Sequence, residues 1–236
     1  MIAAVINAVL VAVGSLIGLI FKNKIKEKYA NAIMVGLALC VFLIGITGAV
    51  KTQNILCVII CMALGIVIGE LLRIEDRLNS LGNKLKAKVE KNGTGGRFTE
   101  GFMSATLLFC VGSMAIMGSM EAGLNHDYSI ILSKSVIDGI TAVTFAAAMG
   151  VGVAFSALGV LIYQGIITLL AIWIGPFLPE AVVTEMSAVG GLLIVALSFN
   201  MLGLTEKKLR VGNMLPAIFL PIAYIPVADW IGALFK

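Results

Sequence analysis

Apolar runs of about twenty residues recur along the whole chain, separated by short polar stretches. They cover residues 3–21, 30–50, 55–72, 101–120, 128–149, 154–174, 186–204 and 214–235. A helix needs about twenty apolar residues to cross a bilayer, so the pattern predicts eight membrane-spanning helices. Gly14 and Gly18 stand four residues apart, as do Gly65 and Gly69. That spacing sets two small residues on one face and lets helix backbones approach closely. The one long polar stretch, residues 74–97, carries Ile74, Leu78, Leu81, Leu85 and Val89 at helical spacing with lysines between them. It reads as an amphipathic helix lying on the membrane face, with a solvated linker as the alternative for its second half.

The polar stretches alternate in charge. KNKIKEK (22–28), the 74–97 segment and EKKLR (206–210) are basic, whereas KTQN, LNHD and PFLPEAVVTE are poor in basic residues. Basic loops stay on the cytoplasmic side, and eight spans satisfy that alternation with both termini outside. The turn at Gly150 has no charge to orient it, and a re-entrant fourth or fifth segment would change the count.

Composition supports the same class. The chain has 236 residues, of which 60% are hydrophobic and 13% charged, with a mean hydropathy of +1.06. Soluble domains carry about 25% charged residues. The net charge of +4 sits in short loops between apolar runs, which argues against a nucleic-acid partner. No basic residue precedes the first run, so it does not read as a secretory signal. Cys40, Cys57, Cys61 and Cys110 all lie in apolar runs and read as packing residues, not as a metal or redox site. The only histidine, His126, falls in a loop, which disfavours a histidine proton relay. Nucleotide-binding, hydrolase and metalloprotease motifs are missing, so neither an enzyme nor a cofactor is expected.

A shift of 155 residues lays Gly36-Leu37 on Gly191-Leu192 and Gly48 on Gly203. The first three runs then overlay the last three. In an eight-span topology the two triplets have opposite orientation, a plan recurrent in secondary transporters. The alternative is that apolar helices resemble one another by composition alone. The expected fold is an all-α, polytopic transmembrane bundle of about eight spans, with an inverted three-helix repeat flanking a central pair. Its parts are residues 1–73, an amphipathic linker 74–98, a central pair 99–152 and a second triplet 153–236.

The candidate chemistry lies in the middle. Lys134 and Asp138 are opposite charges one helical turn apart inside an apolar run. Charges inside hydrocarbon are expensive, and they mark cavities and ion paths. Lys134 snorkelling to the surface, with Asp138 merely satisfying it, is the plainer alternative. Residues 110–119 contain Gly112, Ser113, Gly118 and Ser119, read either as an unwound segment offering backbone groups to a solute or as a packing face. Gln164, Asn200 and Asn213 are amides in or near the spans, where interhelical hydrogen bonds and helix capping compete with ligand binding.

The stretches FCVGSMAIMGSMEAGLNHDYSIILSKSVIDGITAVTFAAAMGVGVAFSALGVLIYQG and GLLIVALSFNMLGLTEKKLRVGNMLPAIF resemble the bacterial family catalogued as domain of unknown function 554. The matching positions include Cys110, Gly112, Ser113, Met114, Gly118, Lys134, Ser135, Asp138, Gly139, Gln164, Asn200, Asn213, Leu215 and Pro216. The resemblance covers nearly the whole chain and implies a bacterial plasma-membrane protein in contact with lipid. It supplies no substrate. The residues themselves lead to a secondary carrier of a small solute or ion, with Asp138 as coupling or binding carboxylate and Lys134 as its counter-ion. A channel-like pore and a non-transporting scaffold or sensor are the alternatives. The glycine-rich faces favour a homodimer.

Overall fold

The computed structural model describes residues 1–22, 27–89 and 98–234, and all regular structure among them is helical. In chain order the helices are α1 (Ile2–Lys22), α2 (Glu27–Ala49), α3 (Ile55–Leu72), α4 (Ile74–Val89), α5 (Phe98–Cys110), α6 (Ser113–Leu124), α7 (Ser129–Met149), α8 (Gly152–Ile174), α9 (Glu180–Leu202) and α10 (Pro221–Leu234). A 3-10 segment, Val211–Phe219, leads into α10. Six of the helices are individually long and apolar enough to cross a bilayer: α1, α2, α3, α7, α8 and α9. Two bent pairs pass the same test as units: α5 with α6, bent by 60°, and the 3-10 segment with α10, bent by 44°. The protein is a multi-pass helical membrane bundle.

Close contacts at glycines give the relative directions of the helices. A methyl group at Gly14 would strike the Gly139 carbonyl, and one at Gly18 the Val143 carbonyl, so α1 and α7 advance together and are parallel. Gly45 faces Val195 and Gly48 faces Ser187, so α2 and α9 are antiparallel. Gly65 meets Ala217 and Gly69 meets Asn213, so α3 and the 3-10 segment are also antiparallel. The Gly14/Gly18 and Gly65/Gly69 spacings thus do what the pattern predicts. Small residues let backbones approach, which is how helices gain contact where the solvent is itself apolar.

The broken pair follows one continuous neighbour. Gly152 of α8 abuts Phe98, Gly159 abuts Thr106, and Thr168 abuts Gly123. The α5–α6 pair therefore advances along α8 in a single direction, as one interrupted span and not as a re-entrant hairpin. The second bent pair is shaped by proline: Pro216 lies in the 3-10 segment, Pro221 opens α10 and Pro226 lies within it. Each proline lacks a backbone donor, and inside a helix it removes one hydrogen bond and bends the preceding turn.

α9 runs through the centre, and most of its residues are buried. It starts at Glu180, earlier than the residue 186 expected from hydropathy. Residues such as Leu43, Ile140, Leu169 and Ile172 are exposed on the outer helix faces, as a lipid-facing surface requires. One end of the bundle carries Lys22, Lys208 and Arg210. There Arg210 pairs with Glu70 at 3.0 Å and Asp76 at 2.6 Å, and Lys208 with Glu100 at 3.2 Å. The other end carries the 50–54 turn and Glu185. The amphipathic stretch is helical over α4, and Leu78 packs against Gly212. Residues 90–97, and the side chains of Leu81, Leu85 and Val89, lie outside the described residues.

Candidate functional site

The interruption between α5 and α6 rests on Gly112, whose φ of 130° lies in the region that L side chains rarely adopt. No side chain caps the new helix. The first N–H groups of any helix have no partner within it. Here the N–H groups of Gly112, Ser113 and Met114 take no hydrogen bond among the described residues. A β-carbon on Gly112 would meet nothing within 4 Å, so the break faces open space.

On α7, Lys134 and Asp138 are both buried, and the Lys134 ammonium bonds the Asp138 carboxylate directly. The close α1–α7 packing brings a third polar residue onto them. Asn7 donates to Asp138 Oδ2 at 3.1 Å and to Gln164 Oε1 of α8 at 3.0 Å. The network thus ties together α1, α7 and α8. It is incompletely satisfied: Asn7 Oδ1 and Gln164 Nε2 are buried without partners. Such atoms are costly in a dry interior.

Lys134, Asp138, Gly112 and Ser113 all line a single cavity of about 260 Å³, which Lys51 at the end of α2 and Ser187 of α9 also line. A second cavity of about 310 Å³ opens at the basic end, lined by Glu75, Glu100, Ser104, Asn200 and Lys208. The two share no residue. Leu107 and Leu197 line the basic-end cavity, while Leu108 and Ile194 line the other. These apolar side chains stand between the two.

The remaining residues singled out from sequence lie elsewhere. Gly118 packs α6 on α7, where an added β-carbon would sit 3.0 Å from the Ile131 nitrogen. Asn200 clasps the Leu209 backbone, donating to its carbonyl at 2.8 Å and accepting from its N–H at 2.7 Å. Asn213 accepts from the Glu75 N–H at 2.7 Å, so it caps α4 and not its own segment. Glu75 returns the contact by accepting from the Gly212 N–H at 2.6 Å.

Three residues that sequence reasoning passed over matter here. Asn7 completes the Asp138 network, and its signal was an amide inside an apolar run. Ser187 lines the cavity, and its buried hydroxyl has no partner. Glu185, the last residue of the PFLPEAVVTE stretch read as a polar connection, is buried in α9 and accepts from the Thr52 hydroxyl at 2.6 Å, the Gln53 N–H at 2.8 Å and the Asn54 N–H at 3.1 Å.

The chain is similar over its full length to the uncharacterized membrane protein YdfK of Bacillus subtilis (strain 168), at 32% identity over 241 residues and 100% of both chains. It is also similar to the uncharacterized protein YqgA of Escherichia coli (strain K12), at 31% identity over 218 residues, covering 91% of this chain and 92% of the relative. No solved structure matches it. The family described as Protein of unknown function (DUF554) matches residues 2–225, and the chain belongs to that family.

Proposed function

We propose that the protein is a secondary carrier for a small polar solute or ion in a bacterial plasma membrane, working at the cavity between α2, the α5–α6 break, α7 and α9. The observation that carries this reading is the meeting of the buried Lys134–Asp138 pair and the Gly112 break on one cavity, walled off from a second cavity at the opposite end. Two cavities at opposite ends with apolar side chains between them fit alternating access, whereas an open pore needs one continuous path. Asp138 is the coupling or binding carboxylate, able to exchange Lys134 for a proton or a cation. Gln164 acts through Asn7 to position it.

The helix pairings support an inverted repeat. Each member of the first triplet packs on its counterpart: α1 on α8, α2 on α9, and α3 on the 3-10 segment. The parallel packing of α1 on α7 has its mirror in the parallel packing of the α5–α6 pair on α8. The clustering of Lys22, Lys208 and Arg210 supports a cytoplasmic basic end, which puts the start of α1 and the end of α10 outside.

The test is flux into proteoliposomes holding the purified chain. A carrier gives uptake that saturates with solute and is reduced in Asp138→Asn by a larger factor than the yield of folded protein. Ohmic single-channel current without saturation would replace the carrier with a pore. Equal losses of flux and yield would leave Asp138 a structural residue.

A further inference from the structure

The unpaired backbone donors at the Gly112 break, together with the charges around them, identify the class of solute. The N–H groups of Gly112, Ser113 and Met114 open the twelve-residue helix α6 without partners. A helix N-terminus carries partial positive charge and free donors, and so it attracts anions. Such an end is not a site by itself. Here a second observation points to an occupant. Ser187, from a different helix, lines the same cavity, and its hydroxyl is buried and has no partner. Two cationic side chains, Lys51 and Lys134, line the same cavity, and its one lining carboxylate, Asp138, is bonded to Lys134. The buried Glu185 carboxylate lies beside Lys51 on the α2–α3 turn, outside the lining, and is held there by Thr52, Gln53 and Asn54.

We infer that the solute is a small anion, a carboxylate or comparable oxyanion, seated on the N-terminus of α6 with Ser187 and Lys134 as further donors. This rests on the carrier reading for its function, but the site itself is testable without transport. A cavity of about 260 Å³ suits an ion of a few non-hydrogen atoms with some of its water. Asp138 holds Lys134 while the site is empty, and an arriving anion competes for that ammonium. Gly112 is required because its open face and positive φ expose the donors. A capping side chain there would occupy them.

The experiment measures thermal unfolding of the full chain in neutral detergent. The probes are sodium acetate, sodium succinate and sodium phosphate at constant total sodium, with glycinamide as a cationic control and glycerol as a neutral one. At least one of the anions is expected to raise the unfolding temperature saturably, and neither control is. Ser113→Pro deletes the first helical N–H at a position where proline fits a helix. Against Ser113→Ala, which lacks the same hydroxyl, Ser113→Pro is expected to bind about tenfold more weakly or worse. If Ser113→Pro does not fold, Ser187→Ala serves, with an expected weakening of about fivefold. Stabilisation by glycinamide or glycerol alone, by none of the probes, or equally in Ser113→Pro and Ser113→Ala, overturns the inference. Saturable anion binding without flux keeps this site and removes the carrier. Saturable flux of a cation without anion binding keeps the carrier and removes this site.

Discussion

The side-chain amide of Asn7 donates to the carboxylate of Asp138 at 3.1 Å across 131 residues of sequence. One end of a single amide thereby joins the first helix to the helix that carries the charged pair, and its second hydrogen reaches Gln164. Both acceptors are buried. Replacing Asn7 by Leu deletes two interhelical hydrogen bonds at once and leaves Gln164 Oε1 without a donor. Within membranes such bonds contribute about 0.6–2 kcal/mol each. Asn7→Leu is expected to lower stability by about 1–3 kcal/mol, read from unfolding in detergent. An unchanged midpoint would show that the amide contributes no net interhelical energy.

Lys134 and Asp138 should behave as a unit. Removing one partner of a buried pair costs about 3–5 kcal/mol because it strands the other charge, whereas replacing both by neutral groups is often close to neutral. Asp138→Asn and Lys134→Met are each expected to reduce the yield of folded protein. The double variant should recover yield and leave flux abolished. Size-exclusion profiles and proteoliposome uptake on the same preparations check this. Additive yield losses in the double variant would contradict the pairing.

Local periodicity makes much of this site legible in the sequence. Lys134 and Asp138 differ by four positions inside an apolar run, so helical pitch alone sets them in contact. Gly112, with serine beside it and another glycine six residues on, marks a weak point in a run otherwise long enough to span. The long-range partners are not written locally. Asn7 looks the same in sequence whether it caps its own helix or bonds a distant carboxylate. Asn213, three residues before Pro216, reads as the cap of its own helix, yet its side-chain Oδ1 caps α4 because α3 and the 3-10 segment pack antiparallel. Glu185 lies among charged and proline residues that resemble a loop, and only the early start of α9 at Glu180 turns it inward. Which helices pair is a property of whole faces, and no single position records it.

Two glycines should respond to the same substitution with opposite signs. Gly36 lies mid-helix in α2, exposed, with no atom within 4 Å of an added β-carbon. Alanine there improves helix propensity, and Gly36→Ala is expected to stabilise by about 0.5–1 kcal/mol. Gly112 has equally open surroundings, but its φ is 130°. The added methyl meets no neighbour, so the cost is backbone strain alone, about 1–3 kcal/mol. Unfolding midpoints of the two variants side by side separate strain from crowding. A Gly112→Ala protein as stable as the parent would show that the break tolerates an ordinary backbone.

At the two ends of the bundle, carboxylates of different burial make opposite forecasts. Glu185 is buried and takes three hydrogen bonds from Thr52, Gln53 and Asn54, which fixes the turn between α2 and α3 against α9. Glu185→Ala leaves the Gln53 N–H and the Thr52 hydroxyl without their acceptor, while the Asn54 N–H keeps the Thr52 hydroxyl oxygen at 3.1 Å. Bonds to a charged acceptor contribute about 1.5–3 kcal/mol each, though water re-entering the turn recovers part of the loss. An overall cost of about 2–4 kcal/mol is expected. Arg210 contacts Glu70 and Asp76 with about half of each side chain exposed. Exposed pairs of this kind contribute about 0–1 kcal/mol, and salt screens them. Arg210→Ala should therefore cost less than about 1 kcal/mol at low salt and nearly nothing at high salt. The Glu185→Ala loss should persist, because a buried, hydrogen-bonded carboxylate is screened far less. Unfolding midpoints at two salt concentrations decide the matter: if the Glu185→Ala deficit also vanished in salt, the carboxylate would be acting through long-range charge and not as the clamp on the turn.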